Sequence, residues 1–185
     1  MNPNLNYYRV PAWAGAFLVF LLMSIAATSS AIAQSEDGIK AAFLYNFAKF
    51  TEWPSQAFAS ANAPLTVGFV GADNMADMFE QNVTGKNANG RDFAVKKLDG
   101  AGEAQTCQIV FVGDASQAVN IIKATKGKPV LTVGSSDSFA AAGGMINFIK
   151  DGSKITFDLD LGAAGVAGLN VDPKLRQFAR DVKGG

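Results

Sequence analysis

Histidine is missing altogether from the 185 residues, and there is a single cysteine, Cys107. Without histidine there are no Ser-His or Cys-His nucleophile pairs, no imidazole metal ligands and no ready general base near neutral pH. One cysteine cannot close an intrachain disulfide, form a redox pair or build a thiolate cluster. A surplus of charge is also missing: 16 basic residues balance 16 acidic ones. With no basic run, nucleic acid is not an expected partner. Catalysis would have to rest on carboxylates, lysines or a cofactor. The absences favour binding or regulation over an enzyme, and no cofactor or metal is expected.

The first 33 residues carry no acidic residue and one positive charge, Arg9. An apolar run from Ala12 to Ala27, broken only by Gly15 and Ser24, leads to Ala31-Ile32-Ala33. That order predicts a secretory signal peptide over residues 1–33, cleaved after Ala33, with export to the periplasm. The run is at the short end for a membrane anchor, which needs about 20 apolar residues. Residues 34–185 are then expected to fold as one domain.

In that domain Asp37 is expected to cap a helix that runs to about Trp53 and stops at Pro54. Ile39, Ala42, Phe43, Phe47 and Phe50 mark its apolar stripe. Apolar runs at 65–71, 109–113 and 130–134 predict buried strands, and residues 91–98 predict another. Helices are expected at 74–83, at 116–125 and around Phe139, with a polar loop at 84–90. Asp151-Gly152 between alternating segments predicts a hairpin with Lys150 opposite Ser153. Its register would put Ile146, Phe148, Ile155, Phe157 and Leu159 on one face. A last helix is expected from Pro173 to Val182, with Leu175, Phe178, Ala179 and Val182 inward. The fold class is α/β: one domain, a mixed sheet with a parallel βαβ core, a C-terminal antiparallel hairpin, and helices on the sheet faces.

Several residues are candidates for a partner or ligand surface. Asn46 falls inside the stripe of the first helix and needs hydrogen-bond partners, from a loop or from a ligand. Tyr45 and Lys49 lie off that stripe. Arg91 can anchor an anionic group or pair with an acidic neighbour. Met145, Asn147, Ile149 and Asp158 share the mixed face of the hairpin. Asp158 and Asp160 could also act as paired carboxylates or simply meet solvent. Gly68 and Gly71 do not complete a phosphate-loop pattern. Together with Gly113 and Gly134 they would line the carboxyl edge of the sheet, where open α/β folds bind ligands.

The segment Ile39 to Pro54, IKAAFLYNFAKFTEWP, closely resembles the opening helix of the YfiR-like family of periplasmic proteins. Gly90-Arg91, Cys107 to Val112, Val130 to Val133, Gly143 to Phe148 and Ala167-Gly168-Leu169 resemble later parts of the family in the same order. The resemblance implies a homodimeric periplasmic regulator. It would bind the periplasmic part of an inner-membrane diguanylate cyclase and repress it, lowering cyclic di-GMP and biofilm formation. An outer-membrane lipoprotein would be the relieving partner. Disulfide control is not expected, because Cys107 has no cysteine to pair with. A periplasmic solute-binding module, similar to one lobe of a solute-binding protein, is the alternative from another class.

Overall fold

The computed structural model describes residues 35–184. The expected signal peptide and its cleavage after Ala33 lie outside the described residues. Helix α1 covers Glu36–Lys49. Its cap is Ser35, whose Oγ accepts the Gly38 N–H at 3.1 Å, and not Asp37. Glu36 and Asp37 instead occupy the first turn, where negative charge complements the helix dipole. The helix also ends earlier than Pro54 suggests. Thr51–Glu52 (β1) turns extended and pairs antiparallel with Asn170–Val171 (β9).

The buried face of α1 is Lys40, Ala41, Leu44, Phe47 and Ala48. It is rotated from the expected stripe. Ile39, Ala42, Phe43 and Phe50 are half-buried and Asn46 is exposed. Apolar residues make up more than half of this helix, so periodicity alone leaves its orientation open. Packing on two sides settles it.

The remaining elements follow in order: β2 (Leu65–Val70), α2 (Asp73–Val83), β3 (Asn87–Ala88), β4 (Arg91–Leu98), α3 (Ala101–Ala104), β5 (Ile109–Val112), α4 (Ala118–Thr125), β6 (Leu131–Gly134), α5 (Asp137–Ala141), β7 (Ile146–Asp151), β8 (Lys154–Asp160), α6 (Leu161–Val166), α7 (Pro173–Arg176) and β10 (Asp181–Lys183). Eight strands form one sheet in the order β10-β8-β7-β6-β5-β2-β4-β3. The centre, β4-β2-β5-β6-β7, is parallel. The β7–β8 and β3–β4 pairs are antiparallel hairpins. The α/β fold class, with its parallel core and C-terminal hairpin, is as the sequence predicts.

Alternation along the central strands feeds two cores. Val67, Phe69, Ile109, Phe111, Leu131 and Val133 join α1, α2 and the hairpin on one face. Val70, Val110 and Val112 join Ala118, Ile121 and Phe139 on the other. Gly68 faces this second core. A Cβ there would stand 2.5 Å from Leu98 Cδ1 and 2.9 Å from Cys107 Sγ, so only glycine fits without rearrangement.

Three further expectations are corrected. The 84–90 segment is not all loop: β3 pairs with β4 through the two-residue turn Asn89-Gly90, with φ +53° and +77°. Positive φ at both positions is what a type I′ hairpin needs. In the C-terminal hairpin Asp151 pairs with Lys154 and Lys150 with Ile155, not Ser153. Only Gly152 of its Gly152-Ser153 loop has positive φ, so the turn shifts by one residue along the chain. The slip is two residues in register, which preserves parity. Ile146, Phe148, Phe157 and Leu159 therefore still share the core face, with Ile155 packed against them. The last helix is cut to Pro173–Arg176, leaving Leu175 buried but Phe178 and Val182 exposed. Beyond it the chain satisfies the open edge of β8. The Arg180 N–H donates to Phe157 O at 2.8 Å, and β10 pairs parallel with β8.

Candidate functional site

The shortened last helix leaves an aromatic cleft. Phe43, Asn46 and Phe50 from α1, Phe157 from β8, Leu175 from α7 and Phe178 beyond it line a depression of about 300 Å³. Phe43 is held from beneath by Phe47, Phe148 and Phe157, at centroid distances of 6.0, 5.8 and 5.7 Å. Phe178 is 65% exposed, an unusual position for a phenylalanine. Asn46 is exposed beside it, so its amide needs no internal partner. An apolar floor with one amide at its side suits a protein partner better than bond-making chemistry.

Tyr45 and Lys49 lie on the same helix and sit together. The Lys49 and Lys86 ammoniums lie 5.6 and 5.2 Å from the Tyr45 ring centre, and the ring packs on Phe93. The hairpin candidates do not form an open surface. Met145 and Asn147 are buried, and Asn147 Oδ1 accepts the Ser136 N–H at 3.1 Å. Ile149 is half-buried. Asp158 accepts from Arg180 Nε at 2.8 Å and from Nη2 at 2.6 Å, which raises the guanidinium's pKa further. Asp160 caps α6 by accepting the Ala163 N–H at 2.8 Å. The two carboxylates thus have separate structural tasks.

Arg91 begins β4, immediately after the Asn89-Gly90 turn. Its Nη1 donates to Ala63 O at 2.6 Å and to Ser60 O at 3.3 Å. The guanidinium lies 3.6 Å over the Phe58 ring. No carboxylate pairs with it among the described residues. It lines a pocket of about 450 Å³ with Glu52, Trp53, Phe58, Leu65 and Asn89.

A third depression, about 380 Å³, opens at the carboxyl ends of β2 and β5. The chain leaves β2 for β4 on one side and returns to β5 on the other, so this is the switch point of the sheet. Gly71, Gly113, Ser135, the start of α2 and Lys40 line it. Lys40 is buried rather than extended into solvent, and its ammonium pairs with Glu36 at 2.7 Å. Lys150 grips the same carboxylate at 2.8 Å. The two lysines hold the Glu36 pKa down to about 2, the Lys150 hydrogen bond contributing most. Among the described residues no group of three or more acidic or cysteine side chains gathers as metal ligands. Cys107 is buried away from all three depressions, and burial pushes its thiol pKa up.

Sequence reasoning missed Phe178 and the Phe58 partner of Arg91. The first was read as helical and inward. The second lies in a segment with no periodic signal, and only the Asn89-Gly90 dipeptide hints at how Arg91 is aimed.

Among solved structures, a conserved domain protein from Vibrio cholerae O1 biovar El Tor aligns with a TM-score of 0.54 and 11% identity. The alignment covers 80% of this chain and 60% of that one. The ABC domain in complex with L-Trp from Streptococcus pneumoniae aligns with a TM-score of 0.48 and 10% identity, over 63% of this chain and 54% of that one. This chain thus spans little more than half the length of either. At such identities the first likeness is one of fold. The YfiR/HmsC-like family model matches residues 37–180, from the first turn of α1 to the arginine that pairs with Asp158, and the chain belongs to that family.

Proposed function

We propose that this protein is a periplasmic regulatory subunit that binds the periplasmic part of an inner-membrane diguanylate cyclase and represses it. Family membership supports the regulatory class. No helix among the described residues is long and apolar enough to cross a membrane. The observation that carries the reading is the aromatic cleft, where Phe178 is 65% exposed above an apolar floor. Interface energy concentrates in a few such anchors. Repression follows if the inactive cyclase conformation offers this cleft a better fit than the active one, since only differential affinity shifts an equilibrium. A homodimer, and an outer-membrane lipoprotein that competes for the same surface, complete the proposal. No enzymatic step is part of it.

Deleting the gene should raise cyclic di-GMP and surface attachment. Phe178→Asp should mimic the deletion with a nearly unchanged melting curve, because most of the side chain is already in solvent. Unchanged cyclic di-GMP in the deletion strain, with the other cyclases intact, would count against repression. A solute-binding reading rests on the switch-point depression at Gly71 and Gly113. A lone lobe lacks the second wall of such a cleft, which places this reading second.

A further inference from the structure

We propose that the pocket around Arg91 is a recognition site for a ligand carrying a single carboxylate on a flat apolar body. The guanidinium is held from one edge and one face. Nη1 is committed to two backbone carbonyls, Ala63 O and Ser60 O, and the plane rests on Phe58 at 3.6 Å. The remaining edge, Nε and Nη2, makes no hydrogen bond among the described residues. That edge is the side-on fork that matches a carboxylate with two parallel N–H···O bonds. A second guanidinium, Arg180, uses this same Nε and Nη2 edge on Asp158. Arg91 has the geometry without the acid.

The rest of the pocket sets the ligand's body and charge. Trp53 and Phe58 are half-buried and Leu65 is buried, which gives aromatic walls and an aliphatic floor. The Trp53 indole N–H already donates to Gln108 O at 3.1 Å, so the ring is fixed and offers only its apolar surface. Glu52 lines the same pocket and is held by Asn170 Nδ2 at 3.0 Å. Its negative charge disfavours a polyanion such as a phosphate ester and leaves room for one carboxylate. Asn89, held at φ +53° with its amide donating to Thr51 O at 3.0 Å, fixes the turn that aims Arg91. The site is distinct from the aromatic cleft, and its test does not depend on a cyclase.

The probe is biphenyl-4-carboxylate, titrated calorimetrically into the purified protein, with biphenyl-4-carboxamide as its neutral counterpart. The acid should bind and the amide should bind at least about tenfold more weakly, since a charged bidentate pair is lost. R91K keeps the charge but not the fork, and should weaken the acid about tenfold. E52Q, at an exposed position, should tighten it. Circular dichroism reports whether R91K stays folded, and the acid–amide comparison needs no variant. Equal affinity for acid and amide, unchanged affinity in folded R91K, or no binding of the acid at millimolar concentration would each overturn the site.

Discussion

Glu36 does more than its place in the first turn of α1 suggests. It accepts from Lys40 on its own helix and from Lys150 at the end of β7, tying the helix start to the hairpin. Its folded pKa of about 2 lies below the ordinary 4.5. A depressed carboxylate contributes stability that is present above the unfolded pKa and lost as pH falls through the folded one. The carboxylate is over a third exposed, so solvent screening keeps the contribution small. Glu36→Gln should therefore lower the melting temperature slightly at neutral pH. The gap should narrow below pH 4.5 and close towards about 2. A gap that stays constant across that window in thermal melts would show that the pair does not couple to folding. At this scale the sequence was partly legible. Phe47 is fully buried, as its spacing predicts, with its ring 4.9 Å from Phe157. Asn46 was misplaced, because an amide one turn from Phe50 is in or out according to a rotation that the helix's neighbours choose.

Two hairpins show how local chemistry acts at the level of elements. Asn89-Gly90 has the dipeptide and the dihedrals of a type I′ turn, yet β3 is only two residues long and leaves no alternating pattern to read. Asp151-Gly152 has the pattern on both sides, and there the turn slips by one residue so that Gly152 takes the positive φ alone. Gly90→Ala should destabilise the domain by roughly 1–2 kcal/mol, the cost of a left-handed conformation for an L side chain. No neighbour stands within 4 Å of the added Cβ, so backbone strain is the whole effect. A denaturant midpoint equal to wild type would mean that the turn relaxes freely. Because Arg91 follows this turn, the variant should also weaken the carboxylate probe. The C-terminal segment is the clearest failure of periodicity. Leu175, Phe178, Ala179 and Val182 repeat at helical spacing, but a helix would leave the β8 edge unpaired and Asp158 without Arg180.

For the whole molecule, the absence of disulfides means that the two cores carry stability between them. Cys107, the chain's single thiol, packs in the smaller core at 2% exposure. Burial raises its pKa, which keeps it protonated and unreactive in the fold. A thiol reagent should therefore modify it only as the domain opens, with the labelling midpoint in denaturant matching that by circular dichroism. Reductant should leave the melting temperature unchanged. Immediate stoichiometric labelling in native buffer would show that this core is open. The sequence by itself determined the α/β class, the parallel centre and the inward face of the hairpin. Each follows from a period of two or from a short apolar run, and parity survives even a slipped register. The match of the opening helix to its family was likewise written in consecutive letters. Only the tertiary structure decided which side of α1 is buried, that residues 181–183 form an edge strand, and that Phe178 lies open. It also decided that Arg91 meets Phe58 and two carbonyls instead of an acid. These depend on hydrogen-bond demand at a sheet edge and on groups that packing, not sequence order, makes neighbours.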